Sequence, residues 1–238
     1  MSVIPDLAHA AALIAEPARA AMLSALLDDI ALPAGELARL ARVTPQTASA
    51  HLSKLVSGGL LSVTTTGRHR YFRLKNKDVA RVLESLALIA PTPVPRGLSD
   101  SLERKAIFRA RTCYDHLAGE LGVKLTQAFI EKGLLQQHAE AYEVTDMGEA
   151  WLNTFGIDCP QLRGKHRMFA RVCPDWSERK SHIAGALGAE IANQLFGLRW
   201  IVRKSGSRVV KVTDLGRNQL KREFGLEWAE SNSLNSSR

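Results

Sequence analysis

Aromatic side chains are scarce in this chain, at 6% of 238 residues, and cysteine occurs only three times. A small, odd number of cysteines excludes a fully paired disulfide framework of the kind that staples small secreted domains. Long apolar runs are missing too. No segment approaches the roughly 20 residues that a membrane-spanning helix needs, and the amino-terminus lacks the basic flank and cleavage pattern of a signal peptide. A cytoplasmic protein with no membrane partner is therefore expected. There is no glycine-rich phosphate loop, no H-E-x-x-H and no G-x-S-x-G, the patterns that would mark phosphoryl transfer, zinc proteolysis or serine hydrolysis. Cys113 and His116 stand three residues apart, but a nucleophile also needs an oxyanion site and an orienting third group. An enzyme is not expected. Acidic charge is in deficit: 24 Asp and Glu face 32 Lys and Arg, for a formal net charge of +8. Such a balance favours a polyanionic partner without saying anything about fold. Residues 1–90 hold ten of the basic and seven of the acidic side chains, so the excess is spread along the chain.

What is present is most informative between Glu36 and Leu74. Leu37, Leu40 and Ala41 recur at three- and four-residue spacing and predict one apolar helix stripe. Thr44 followed by Pro45 then restarts a helix, because threonine accepts from free helical N–H groups and proline is preorganised for the first helical position. In that second helix Ala48, Leu52, Leu55 and Val56 form the inward stripe. Gln46, Thr47, Ser49, Ala50, Ser53 and Lys54 point elsewhere, as a short polar face able to approach base edges in a major groove. Gly58-Gly59 ends the helix with the left-handed residue that a carboxy-terminal cap prefers. Leu60–Thr64 and Arg70–Leu74 read as strands joined by a tip of Thr66, Gly67, Arg68 and His69. A hairpin with Arg68, His69 and Arg70 near its end suits phosphate or minor-groove contact. The order helix, turn, helix, basic hairpin is a winged helix-turn-helix.

The run T-x-Q-T-A-S-A-H-L-S-K-L-x-x-G-G-L-L at 44–61, followed by G-R-x-R-Y-F-R-L at 67–74, resembles the ArsR-type bacterial transcriptional regulators over residues 8 to 90. The resemblance implies a homodimer, a repressor, and an effector whose binding releases DNA. Double-stranded DNA and a second copy of the chain are then the expected partners. The candidate DNA-binding residues are Thr44, Gln46, Thr47, Ser49, His51, Lys54, Arg68, His69 and Arg70. His51 has an equal alternative as a hydrogen-bonded residue within the helix layer. Helices expected at Leu7–Glu16, Pro17–Leu27 and Asp78–Ile89 complete the module. In this family the first and last helices make the dimer, and the alternative is that they cover the module's own core or the second domain. Family metal sites do not carry over, because Glu36–Val43 holds no cysteine and Asp78–Ile89 no histidine. A non-specific architectural binder without an effector is the alternative function.

The segment 91–100, PTPVPRGLSD, reads as a linker, since its prolines cannot continue a helix and favour an extended spacer. A second, sensor domain is expected over 101–228, and a disordered serine- and asparagine-rich tail over 229–238. The second domain repeats itself. Residues 110–122, ARTCYDHLAGELG, and 170–188, ARVCPDWSERKSHIAGALG, share A-R-x-C-x-D and H-[L/I]-A-G-x-L-G, with six residues inserted in the second copy. Val144-Thr145-Asp146-x-Gly148 is echoed by Val212-Thr213-Asp214-x-Gly216. Each copy reads as helix, helix, hairpin, helix, a shortened winged plan related to its twin by a pseudo-twofold axis. The expected fold class is mainly α with small β-hairpin wings (α+β): a winged helix-turn-helix domain plus two degenerate helix-hairpin repeats.

Repetition makes Cys113 and Cys173 equivalent, along with His116 and His182. These four form a candidate effector or redox site, whose thiolates and imidazoles suit Zn²⁺, Cd²⁺ or thiophilic As(III). No other cofactor is expected, and the effector is either such an ion or a small molecule. Arg111 and Arg171 are positioned in sequence to lower a thiol pKa. The competing reading makes the cysteines plain core, Asp115 and Asp175 helix caps, and the duplicated Ala-Gly a helix-packing device. Trp151, Trp176, Phe169, Trp200 and Phe196 offer an alternative aromatic lining for an organic effector. Cys159 has no counterpart and is assigned no role.

Overall fold

The computed structural model describes residues 5–28, 30–91, 94, 97–204 and 206–229. The chain divides between Ala90 and Pro91 into two compact units. The first holds α1 (Leu7–Ile14), α2 (Pro17–Ala25), β1 (Leu32–Pro33), α3 (Ala34–Leu40), α4 (Pro45–Ser57), β2 (Leu61–Thr66), β3 (His69–Leu74) and α5 (Lys77–Ile89). Its antiparallel sheet has the order β1-β3-β2. The strand β1 has no counterpart in the sequence reading, because two residues carry no periodicity.

Local chemistry sets the helix boundaries. The Glu16 carboxylate accepts from the N–H groups of Ala18 and Arg19 at the start of α2. The Arg19 guanidinium reaches back to donate to the carbonyls of Ala12 and Leu13, at the end of α1. One turn thus satisfies groups that both helix termini leave free. Thr44 caps α4 by accepting from Thr47 N–H, and Gly59, at φ 75°, supplies the left-handed residue after it. Met22, Leu23, Leu26, Leu37, Leu52, Leu55, Leu61 and Phe72 are buried beneath these elements, each contributing roughly 1.5–3 kcal/mol of apolar transfer. The hairpin β2–β3 is longer than its sequence suggested: Thr66 pairs with His69 in the ladder, leaving Gly67 and Arg68 as a two-residue turn.

The second unit runs α6 (Leu98–Arg109), β4 (Arg111–Cys113), β5 (His116–Ala118), α7 (Gly119–Glu131), β6 (Leu135–Gln137), β7 (Tyr142–Val144), α8 (Asp146–Thr154), α9 (Cys159–Arg163), β8 (Arg171–Pro174), β9 (Ser181–Ala184), α10 (Gly185–Gly197), β10 (Ile201–Arg203), β11 (Val210–Val212) and α11 (Asp214–Phe224). Leu98 to Asp100 are therefore helical, not linker. Thr92, Pro93, Pro95 and Arg96, and the tail beyond Ala229, lie outside the described residues.

The repeat is present in a different form from the one read in sequence. Each A-R-x-C-x-D stretch is an antiparallel hairpin and not a helix: β4 pairs with β5, and β8 with β9. Each copy is hairpin, helix, hairpin, helix. The strands are three or four residues long, and the first pair is buried at every position, so no apolar-polar alternation betrays them. The duplicated Ala-Gly is likewise not a helix-face contact. Gly119 and Gly185 open α7 and α10 at φ 73° and 84°, and a Cβ there would press on the carbonyls of Phe108 and of Met168 and Phe169.

The second echo, V-T-D-x-G, has a plain mechanical basis. Thr145 accepts from Gly148 N–H and donates to the Gly133 carbonyl at 2.7 Å. Thr213 repeats this with Gly216 N–H and the Arg199 carbonyl at 2.8 Å. One hydroxyl thus caps a helix and pins it to the entry of the preceding hairpin. Of the aromatics, Trp200 is buried in the core, and Trp151, Phe169 and Phe196 are half-buried against it. Trp151 packs on Phe129, Phe155 and Phe224, and Trp200 on Phe155, with ring centroids 4.8 to 5.5 Å apart. Trp176, Phe169 and Phe196 each lie beneath a guanidinium, from Arg111, Arg163 and Arg203.

A Cβ added at Gly148 or Gly216 would collide with the backbone carbonyl of Leu134 or Trp200, whereas one at Gly197 meets nothing. Gly148→Ala and Gly216→Ala should each lower the urea midpoint by an amount equivalent to about 1–3 kcal/mol, while Gly197→Ala should change stability by less than about 1 kcal/mol. Equal midpoints for all three variants would show that the carbonyls yield freely.

Candidate functional site

Each unit carries one constellation of chemically capable side chains. In the first unit, α4 buries Ala48, Leu52 and Leu55. It leaves Gln46, Thr47, Ser49, Ala50, Ser53 and Lys54 exposed, and Arg68, His69 and Arg70 are exposed at the hairpin end. The hydroxyls of Thr44 and Thr47 lie 2.9 Å apart and share a hydrogen bond. The first turn of α4 is thus held rigid while Gln46 projects freely. Arg70 stacks over Phe72 at 5.2 Å, which steadies its guanidinium. His51 departs from the outward set. Its side chain is 17% exposed and its Nε2 lies 3.6 Å from the Glu16 carboxylate, so it joins α4 to the start of α2.

In the second unit the hairpins bring the four equivalent residues together. Cys113 faces His116 across β4–β5, and Cys173 faces His182 across β8–β9. One ligand atom from each of the four lies within 4.8 Å of every other. The cluster is dry, with Cys113, His116, Cys173 and His182 exposed by only 4%, 3%, 6% and 1%. The two Nε2 atoms stand 3.1 Å apart. Each Nδ1 turns to a carboxylate: His116 to Asp115 at 3.3 Å and His182 to Asp175 at 3.2 Å. The first contact is a hydrogen bond. The second has ion-pair distance, but its angle leaves the His182 Nδ1 without a hydrogen bond.

Neither Asp115 nor Asp175 caps a helix that follows it directly in the chain; each stands beside an imidazole, in the place that carboxylates take behind metal-binding histidines. Asp175 also accepts from Arg111 at 2.9 Å and from Gly119 N–H at 2.7 Å. Asp115 accepts from Arg167 at 2.7 Å. Burial would raise the Asp115 carboxyl, but the His116 ring and Arg167 bring it down to about 2. Asp175, also opposed by burial, is held well below the usual carboxylate range by His182, Arg111 and Ser177.

The Cys173 thiol is tuned by Cys113 and by the imidazoles, while the arginines expected for that role are engaged elsewhere. A hydrogen bond from Cys113, against the opposing effect of burial, and further bonds from His116 and His182 hold the Cys173 thiol far below its ordinary range. His116 is raised despite burial, through its bonds to Asp115 and Cys173. Arg111 instead spends its charge on Asp175, Ser177 and the Trp176 face, and Arg171 donates to the Val172 carbonyl. Sequence reasoning missed the carboxylates as partners of the histidines. Their signal was available, since Asp115 and Asp175 occupy equivalent places in the two copies.

A helix-turn-helix domain family (HTH_20) matches residues 14–64. Over 223 residues the chain is 43% identical to YdfF of Bacillus subtilis (strain 168), an uncharacterized HTH-type transcriptional regulator, covering 94% of this chain and 99% of that one. Among solved structures, it is similar to the homodimeric winged helix-turn-helix DNA-binding domain of Mb0332 from Mycobacterium bovis. That likeness has 27% identity and a TM-score of 0.32, covering 37% of this chain and 89% of that one. It is also similar to the cadmium metal-sensor CMTR from Mycobacterium tuberculosis, with 31% identity and a TM-score of 0.31, over 39% of this chain and 96% of that one. The chain belongs to the HTH-type transcriptional regulators, and its amino-terminal unit carries the helix-turn-helix followed by a β-hairpin wing.

Proposed function

We propose that this regulator is a dimeric, sequence-specific repressor whose operator affinity is set by an effector bound at Cys113, His116, Cys173 and His182. The observation that carries this reading is the convergence of those four side chains in one buried cluster, in a chain that also bears an exposed reading face on α4. Gln46 and Ser49 are short enough to meet base edges, with Thr44 and Thr47 fixing the first turn, while Arg68, His69, Arg70 and Lys54 supply phosphate contacts. Dimerisation is supported by α5, on which Val82, Leu86 and Ile89 are exposed, and by Leu7 on α1. A dimer would set two recognition helices about 34 Å apart, on successive major grooves of a near-palindromic operator.

A thiophilic ion fits the cluster better than a reactive organic molecule. Reactive cysteines are normally partly open to solvent, whereas Cys113 and Cys173 are buried. The cytoplasm is the compartment that suits a DNA-binding regulator of this kind.

The reading is tested by fluorescence anisotropy, comparing DNA from upstream of the protein's own gene with scrambled duplex. Gln46→Ala should cost about 1–3 kcal/mol on the preferred sequence and little on scrambled DNA. Arg70→Ala should weaken both duplexes alike and reduce the salt slope by about 0.9. Unchanged discrimination after Gln46→Ala and Thr47→Ala together would remove the proposed reading face. Equal affinity of the intact protein for all duplexes would favour an architectural binder.

Cd²⁺ should weaken operator binding by roughly 5- to 150-fold, the usual span of a coupling between two sites. The same ion should leave Cys113→Ser/Cys173→Ser unaffected. Operator binding indifferent to Cd²⁺ and Zn²⁺ in the intact protein would refute the regulatory part of the reading.

A further inference from the structure

We infer that the cluster is a closed, four-coordinate site for a single divalent d¹⁰ ion, Zn²⁺ or its analogue Cd²⁺, placed on the pseudo-twofold axis between the two repeats. The inference deepens the effector-site reading, but it concerns the ion and its ligands and holds whether or not occupancy moves operator affinity. Each repeat contributes half of the site from the same register: a cysteine on the first strand of its hairpin and the histidine paired with it on the second. Neither hairpin has a full ligand set alone.

Donor type and number select the ion. Two sulfurs and two imidazole nitrogens make a Cys₂His₂ set, the tetrahedral preference of zinc and of its heavier congener. Mg²⁺ and Ca²⁺ require oxygen donors, and an iron–sulfur cluster requires more thiolates than two. Trivalent arsenic and antimony bind best to three thiolates in a pyramid, and the third cysteine, Cys159, opens α9 and is buried in a separate core cluster. Charge selects in the same direction. A divalent ion with two thiolates is neutral overall, which is the state that a site this dry tolerates best.

Geometry agrees. Bonds of about 2.0–2.3 Å place tetrahedral ligand atoms roughly 3.3 Å apart for two nitrogens and 3.8 Å for two sulfurs. The imidazole nitrogens are 3.1 Å apart, and no pair exceeds 4.8 Å, so closure on an ion requires shifts on the order of 1 Å. Both rings already present Nε2 inward, with Nδ1 towards Asp115 or Asp175. Glycines let each helix pack closely on the strand that carries the histidine: a Cβ at Gly122 would stand 2.6 Å from the Leu117 carbonyl oxygen, and one at Gly188 would stand 2.5 Å from that of Ile183. With four protein ligands, no coordination position is left for a substrate, as in structural zinc sites. The ion would act as a staple joining the two repeats.

The test begins with the full-length protein, stripped of metal by a chelator under reducing conditions and titrated with Co²⁺. The expected result is one equivalent per chain, with the intense visible bands of tetrahedral cobalt and a thiolate charge-transfer band, both abolished by Zn²⁺. Cys113→Ser, Cys173→Ser and His182→Ala should each lose the tetrahedral spectrum. Asp115→Asn, which removes a positioning carboxylate, should keep the spectrum and weaken Zn²⁺ binding by about 10- to 100-fold. Zinc-edge X-ray absorption on the wild-type protein should show two sulfur and two nitrogen neighbours, an answer that stands even if a variant does not fold. Octahedral cobalt, fewer than two sulfurs, or full affinity in either cysteine variant would overturn the site. A tetrahedral site whose filling leaves operator affinity unchanged would support this inference and overturn the regulatory reading alone.

Discussion

The second unit depends on one buried carboxylate, Asp175. It accepts from Arg111 on β4, from the first N–H of α7 and from the N–H groups and hydroxyl of its own turn, and it stands beside His182 on β9. Both Asp175 and Arg111 have no exposed side-chain surface, so each charge exists there only because the other does. Breaking such a pair leaves an uncompensated charge, at a cost of about 3–5 kcal/mol. That cost ties the first hairpin to the second in one geometry. The Cys and His side chains meet because these backbone elements are already fixed.

The two repeats meet the same need by unequal means. Asp175 finds its cation across the interface between copies, in Arg111, whereas Asp115 takes Arg167 from the segment before β8. The six-residue insertion after Asp175 forms a turn in which Ser177 and Glu178 add bonds that the tight turn at Tyr114 and Asp115 has no room for. The imidazoles nevertheless end in matching orientations. Symmetry is kept at the cluster and relaxed around it.

The first unit shows a different economy. Helix α4 is capped by threonine, ended by glycine and packed through a narrow apolar stripe, so most of its outer surface remains exposed. His51 illustrates how neighbouring structure removes a residue from that surface. Sequence places it one turn after Thr47, yet Glu16, far away in sequence, draws it inward. No periodicity within α4 reports that partner.

The sequence by itself determined the winged helix, because caps, stripes and turn glycines are local signals acting over three or four residues. It also determined that the second unit is a duplication and which side chains are equivalent within it. Only the tertiary structure decided that the A-R-x-C-x-D stretches are strands, since strands of three or four residues are too short to show an alternation. Only the tertiary structure, again, brought Cys113 and His116 against Cys173 and His182 and assigned Asp115 and Asp175 to the imidazoles. The contacts between the two Cys/His pairs join residues more than fifty positions apart. They depend on how two hairpins pack, and hairpin packing is fixed by the whole set of buried bonds around Asp175 and not by any segment alone.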